Sequence, residues 1–502
     1  MDKQNWPLAV QVAADFAAEW TADAPGGAIV AFDASGIRFA HAGGLESLAT
    51  RVPFTPASVV RYASVTKHVF CTMVLAHPTL IGLEDRLGKH LPELLEPLAS
   101  VTVGRALDMT GGLPDVRECL SLLGLSVYSR TDAGPLLDYL ARLTRLNFEA
   151  GSEISYSNTG YRLVEAALER KGVRFDDWVQ KVISDPLRLA MKAPDVWDDT
   201  VPGLVPGYWH SGEKWQLAAA GLHISASGSL TGSAEALAKW LKALVAGNGL
   251  LNGRFPALSA RRTLKDGRPT GYGLGLRRSL LGGRELLGHG GSHPGYKTHF
   301  LIEPESGSGV VVVTNREDTN TYKMALGTMA ALLGEPLPVT SDILGEGTWV
   351  TESGPWWISV KGSAVNYIDS EDTLYADGEG WVSSRSPTAP LRLHRDGEAL
   401  VGEVGHAARR FLPATGGKVP AMLSGRWESP EGAAFDIVDG ALIQGIGPCR
   451  QVMPLEALGG GRYLYTLVDG PWRKRVCLHQ LAADRVELVL SRARMIEYIR
   501  AR

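Results

Sequence analysis

Residues 62 to 77 read "YASVTKHVFCTMVLAH". Ser64 and Lys67 stand one helical turn apart at the head of an apolar run. A serine there lies near the positive end of the helix dipole, and the lysine shares its face. A serine hydroxyl is a poor nucleophile until a neighbour takes its proton. A buried lysine has a depressed pKa and can help to move that proton. The spacing S-x-x-K recurs at Ser211 and Lys214 in "WHSGEKW", a polar, glycine-bearing stretch with no apolar helix behind it. Context therefore prefers Ser64, with a surface S-x-x-K as the plainer alternative.

Two further stretches carry chemistry. "GSEISYSNTGYRL" holds Tyr156, Ser157 and Asn158, the one Y-x-N in the chain. A tyrosine whose phenolate is stabilised by an ammonium group can act as general base, and the asparagine can hydrogen-bond both lysine and substrate. A turn-capping asparagine beside a structural tyrosine is the plainer alternative. "LLGHGGSHPGYKTHF" holds His289, Gly290, Gly291 and Ser292 between apparent strands. Two glycines let a substrate backbone lie against a strand edge. The amide N–H of Ser292 could then pair with that of Ser64 as an oxyanion hole. A glycine-rich hairpin with a solvated histidine is the alternative, and His210 with Gly212 repeats the H-x-G spacing.

The bulk composition is that of a globular protein, with 45% hydrophobic and 21% charged residues among 502. Such a length implies two or three domains. Basic and acidic residues nearly balance, 51 against 54, which argues against nucleic acid or an anionic membrane as partner. Cys71, Cys119, Cys449 and Cys477 show neither C-x-x-C pairing nor metal spacing with histidine, and read as buried free thiols. No run approaches the roughly twenty apolar residues of a membrane span. The first residues lack a signal peptide's apolar core, and Ala9, Val12, Ala13, Phe16 and Trp20 fall on one helical face instead. A cytoplasmic protein is the expectation.

An N-terminal helix, a hairpin around Asp33–Gly36, a helical stretch from about 64 to 250 and returning strands suggest one antiparallel sheet with helices packed on it. "SAEALAKWLKALVAGNG" is the clearest helix, closed by glycine. Near residue 332 the character changes. "LLGEPLPVTSDILGEG" has a linker's composition, and short alternating strands follow, with a second junction at "LPATGGKVPAMLSG". Two small β-barrels or sandwiches account for this stretch. The expected boundaries are 1–335, a linker at 336–345, then 346–417 and 418–502. The segment opening "GRWESPEGAAFDIVDGALIQG" faintly repeats the one before it. There is no G-x-S-x-G, H-E-x-x-H or G-x-x-x-x-G-K-[ST]. Gly271, Gly273 and Gly275 lie in a strand context that does not suit a nucleotide.

In this order S-x-x-K, Y-x-N and H-x-G resemble the serine β-lactamase and penicillin-binding-protein superfamily. "RALDMTGGLPD" and "TGYGLGL" resemble its accessory segments. The resemblance spans about residues 5 to 335. It implies an α/β catalytic domain, with an antiparallel sheet, helices on both sides and a helical subdomain. A histidine opening the third motif, two trailing β domains and the "RARMIEYIRAR" terminus look like the D-stereospecific aminopeptidases, in which two antiparallel barrels follow the catalytic domain. The resemblance then implies a serine hydrolase releasing N-terminal D-amino acids from small peptides, amides or esters. Ser64 would be acylated, Lys67 and Tyr156 would share the proton, Asn158 would orient lysine and acyl chain, and no metal or organic cofactor would be needed. His289 would replace the lysine of penicillin-recognising relatives and attract a carboxylate more weakly. A broad esterase or a D,D-peptidase uses the same machinery; a catalytically silent binding protein is the remaining alternative. Exposed barrel strands leave a homodimer open.

The family's last barrel sends a loop to the active site to select a free amine. Here the matching stretch is "YTLVDGPWRKRVCLH", residues 465 to 479, which reads as shorter. Asp469 could receive an ammonium group, whereas Arg473, Lys474 and Arg475 would attract acids; a surface hairpin with a basic edge is the alternative.

Overall fold

The computed structural model describes residues 4–223 and 225–502. Six strands build the central sheet: β1 (Gly27–Asp33), β2 (Gly36–Gly43), β3 (Arg277–Leu281), β4 (Arg284–His293), β5 (Tyr296–Glu303) and β6 (Ser308–Thr314). Their order is β2-β1-β6-β5-β4-β3, every neighbour antiparallel. The ends of the domain are thus stitched together, since β1 pairs with β6 with Val30 opposite Val311.

Both faces of the sheet are covered, so its inner strands carry apolar residues on both sides. Ile29 and Ala31 of β1 meet α1 (Trp6–Ala17) and its antiparallel neighbour α6 (Thr321–Leu333). Ala28, Val30 and Phe32 point the other way, into the core formed with α2 (Thr66–Ala76) and α5 (Ala234–Ala246). The helix read from "SAEALAKWLKALVAGNG" is α5. The Ser233 hydroxyl caps its start by accepting from Ala236 N, and Gly247 ends it with φ +65°. The helical subdomain inserted between β2 and β3 includes α3 (Val116–Leu122) and α4 (Thr159–Glu169).

Beyond residue 346 come two nearly closed, nine-stranded antiparallel barrels. In each the first strand pairs with the last: Gly347–Thr351 with Ala407–Pro413, and Gly425–Glu428 with Ile496–Arg500. The strand order is the same in both, which gives the faint internal similarity a structural counterpart. The barrels are not independent. Leu458, Leu464, Cys477 and Val489 of the second lie in the core of the first. Cys119 and Leu122 of α3 lie in the core of the second, where Tyr498 donates to Leu122 O at 2.8 Å. Three of the four cysteines are buried as expected; Cys449 is exposed, on a short turn outside the barrel wall.

Helix α2 is buried nearly throughout, its charged and polar residues included. His68 shows how. Its Nδ1–H donates to Val65 O, and its Nε2 accepts from Trp240 Nε1 at 2.8 Å, which defines a neutral ring. Burial holds its pKa down to about 4, from an ordinary 6.5. As pH falls from 6.5 towards 4, the unfolded chain binds a proton that the folded chain refuses, so stability falls. This one group contributes about 3 kcal/mol to that loss. Urea unfolding between pH 7 and 4.5 should show a steeper decline in the native chain than in His68→Gln; equal slopes would contradict the assignment.

Candidate active site

Ser64 sits in a tight turn, Ala63–Val65, that feeds directly into α2. Ala63 has φ +51°, a conformation that costs a side-chain-bearing residue about 1 kcal/mol. The turn is wedged against β4. A Cβ on Gly291 would lie 2.0 Å from the Tyr62 carbonyl oxygen, so only glycine lets the strand come this close. This contact brings the edge of β4 beside Ser64.

Below Ser64, Lys67 is completely buried. Its ammonium donates to Asn158 Oδ1 at 2.8 Å, to Ser227 O at 2.6 Å and to Ser64 Oγ at 3.3 Å. Three donors thus have three acceptors, the condition for keeping such a group dry. Burial pushes its pKa below the ordinary lysine value. The Tyr156 ring centroid is 4.9 Å from the same nitrogen. The Tyr156 hydroxyl is buried and, among the described residues, has no hydrogen-bond partner. Burial would raise its pKa, but the positive charges of Lys67 and Arg277, together with the polar approach of Lys67 and Ser64, outweigh that and leave it below the ordinary phenol value. A phenol with a lowered pKa, beside a lysine and a serine, has the chemistry that proton transfer requires.

The orientation of Asn158 is set from outside the motif. Asp115 Oδ2 accepts from Asn158 N at 2.8 Å and from Nδ2 at 2.7 Å, which turns Oδ1 towards Lys67. Asp115 also starts α3, its Oδ1 accepting from Arg117 N and Glu118 N. The spacing D-x-x-E at Asp115 and Glu118 is a helix-start signal that could have drawn attention to it. The opposite wall is held similarly: Ala226 N donates to Glu165 Oε1 at 2.9 Å, next to the Ser227 carbonyl that Lys67 uses.

Ser64, Tyr156, Asn158, Gly290, Gly291 and Ser292 all line one cleft of about 1030 Å³. Its far walls come from the first barrel, through Tyr367, Asp372 and Tyr375, and the second, through Ser491, Arg492 and Arg494. Arg117 and Arg277 also face it. Ser292 is further oriented by Lys297, whose Nζ donates to its hydroxyl at 2.7 Å.

Two expected site residues stand elsewhere. The His289 ring is fully buried and does not line the cleft. Its Nδ1–H donates to Gly290 O at 2.6 Å, so its Nε2 accepts from the Tyr272 hydroxyl at 2.9 Å. Burial, with the charges of Arg277 and Lys67, holds its pKa well below 6.5. It is a neutral support behind Tyr156, with ring centroids 6.3 Å apart. Asp469 is not brought to the cleft either. It closes a tight hairpin opposite Trp472, and its carboxylate accepts from Ser126 Oγ and Val127 N, both at 2.6 Å. Ser211, the rival nucleophile, is exposed on a separate two-stranded hairpin, where its hydroxyl donates to Lys214 O.

If Asp115 works through Asn158 and Lys67, Asp115→Ala should lower kcat by about a hundredfold, the scale of a 1 Å misplacement, with KM changed only a few-fold. Steady-state kinetics on any substrate turned over through Ser64 checks this; a change confined to KM would contradict it.

Known proteins are similar to this chain in sequence and fold. The model of the Beta-lactamase family matches residues 12–335. A D-aminopeptidase of Gluconobacter oxydans is 26% identical over 318 residues, covering 62% of this chain and 59% of that protein. A D-aminopeptidase of Brucella melitensis is 25% identical over 529 residues, covering 95% of this chain and 96% of its own. The octameric penicillin-binding protein homologue from Pyrococcus abyssi covers all of both chains with a TM-score of 0.57 at 18% identity. The family model covers well over half of the sequence, and the chain belongs to the Beta-lactamase family.

Proposed function

We propose that the protein is a serine hydrolase that releases N-terminal D-amino acids, such as D-alanine, from peptides, amides or esters through an acyl-enzyme on Ser64. The observation that carries this reading is the buried Lys67 ammonium 3.3 Å below the Ser64 hydroxyl, with Tyr156 beside both. The likeness to D-aminopeptidases over 95% of the chain supports the choice of substrate.

In acylation the Ser64 hydroxyl gives its proton to Tyr156, whose phenolate the Lys67 charge stabilises. Ser64 Oγ attacks the substrate carbonyl, and the amides of Ser64 and Ser292 hold the developing oxyanion. The C–N bond breaks as Tyr156 passes the proton to the leaving amine. A water molecule then releases the acyl group by the same route. Such proton transfer is worth about 10²–10⁴-fold in rate. The neutral, withdrawn His289 offers a substrate carboxylate no charge, and the Lys297 ammonium beside Ser292 is already paired with Glu317 at 3.1 Å, which supports amide chemistry on uncharged groups.

A second reading, a D,D-peptidase, is favoured by Arg277. Strand β3 begins at Arg277, opposite Gly288, while β4 runs on to His293. A peptide pairing antiparallel with Gly290–Ser292 would lie in line with β3, its carboxy end turned towards that guanidinium. Nothing at 465–479 offsets this, because Asp469 is engaged elsewhere.

Hydrolysis of D-alanyl p-nitroanilide, beside its L-enantiomer and its N-acetylated form and with Ser64→Ala as blank, separates the two. Activity on the free-amine D substrate alone is expected. Better turnover of N-acetyl-D-alanyl-D-alanine, lost in Arg277→Ala, would replace the first reading by the second.

A further inference from the structure

The turn at residues 491–494 belongs to the second barrel, yet it is built into the catalytic domain. Glu118 accepts from Ser491 Oγ at 3.2 Å, from Arg492 N at 2.6 Å and from Ala493 N at 3.0 Å. Arg492 O accepts from Asp115 N and from Asn147 Nδ2, both at 2.8 Å. Arg494 N donates to Asn147 Oδ1 at 3.0 Å. Backbone groups therefore make most of this clamp, which leaves the Arg492 side chain, 42% exposed, free to lean over the cleft. Its guanidinium carbon lies 4.7 Å from the Tyr156 ring centroid, closer than that of Arg277 at 5.6 Å.

We propose that Arg492 is a positioning residue of the active site: the second barrel delivers its guanidinium to the face of Tyr156, where it holds the ring and adds a positive charge beside the phenolate. The catalytic centre is then complete only with the second barrel docked. Other charges face the same tyrosine: Lys67 from α2, Arg277 from β3 and, further off, Arg117 from α3. The rings of His289 and Tyr272 behind it are neutral. Facing Arg492 itself are Glu118, at 3.9 Å, and the more distant Asp115 and Asp369. The guanidinium is thus only loosely paired, and its charge remains available to Tyr156.

The proposal deepens the reading of Tyr156 as proton carrier, and its test keeps the two apart. The Tyr156 phenol is titrated by ¹³C NMR of tyrosine Cζ in the full chain, with Tyr156→Phe for assignment. The rate of Ser64 labelling by a fluorophosphonate is followed across the same pH range. Arg492→Gln should raise the titration midpoint by about one unit and slow labelling about tenfold on the acid side. Arg492→Lys should restore most of both. Arg145→Ala, which removes the ion pair to Glu497 that also ties this barrel down, should move neither. An unchanged midpoint in Arg492→Gln, or an equal loss at every pH, would overturn the proposal. A shifted midpoint with no labelling of Ser64 in any form would uphold Arg492 and defeat the hydrolase reading.

Discussion

An ammonium group taken wholly out of water must be given a partner for every proton, and the catalytic domain is arranged around that demand at Lys67. Asn158 and the Ser227 carbonyl are its fixed acceptors, and the Ser64 hydroxyl is the third and weakest. Each fixed acceptor needs a support of its own. Asp115 turns the Asn158 amide, and Glu165 holds the short helix, Ser225–Gly228, that carries Ser227. The longest hydrogen bond of the three is the one to the group proposed to react. On that proposal, reactivity at Ser64 is the slack in an otherwise satisfied cage.

The same constraint reaches the barrels. Asp115 is at once the anchor of Asn158, the cap of α3 and, through its backbone N–H, a donor to Arg492 of the second barrel. Residues of α3 are buried in that barrel's core. Docking of the barrel and orientation of the lysine's partner thus pass through one residue. The first barrel is tied in through Arg462, which donates to the Thr351 and Gly354 carbonyls. The cleft is therefore a three-walled space, and its charge is set by residues from all three units.

Much of this was legible locally. An apolar run behind Ser64, the unbroken valine run of β6 and the change to short strands after residue 346 are signals of period and composition, and the folded chain obeys them. Tyr156 and Asn158 could be picked out because one turn of chain carries both. What could not be read is what distant segments do to one another. His289 was expected to face the substrate, but the pleat of β4 turns its ring inwards to Tyr272, and only the backbone of its neighbours borders the cleft. Asp469 looked free because its partners, Ser126 and Val127, lie more than three hundred residues earlier. Arg277 had no motif to announce it, and Arg492 opens the "RARMIEYIRAR" terminus, where the sequence assigns it no role; their place beside Tyr156 exists only once β3 and the second barrel are in position.

On the proposed function, Ser64 becomes covalently acylated with Lys67 and Tyr156 as its activating pair. The direct measurement is peptide mapping by mass spectrometry after acid quench during turnover of a D-alanyl ester. It should find an alanyl group on the peptide carrying Ser64 in the native chain, far less in Lys67→Ala and Tyr156→Phe, and none in Ser64→Ala. Steady turnover with no adduct on that peptide, or an adduct that forms equally well without Lys67, would contradict it.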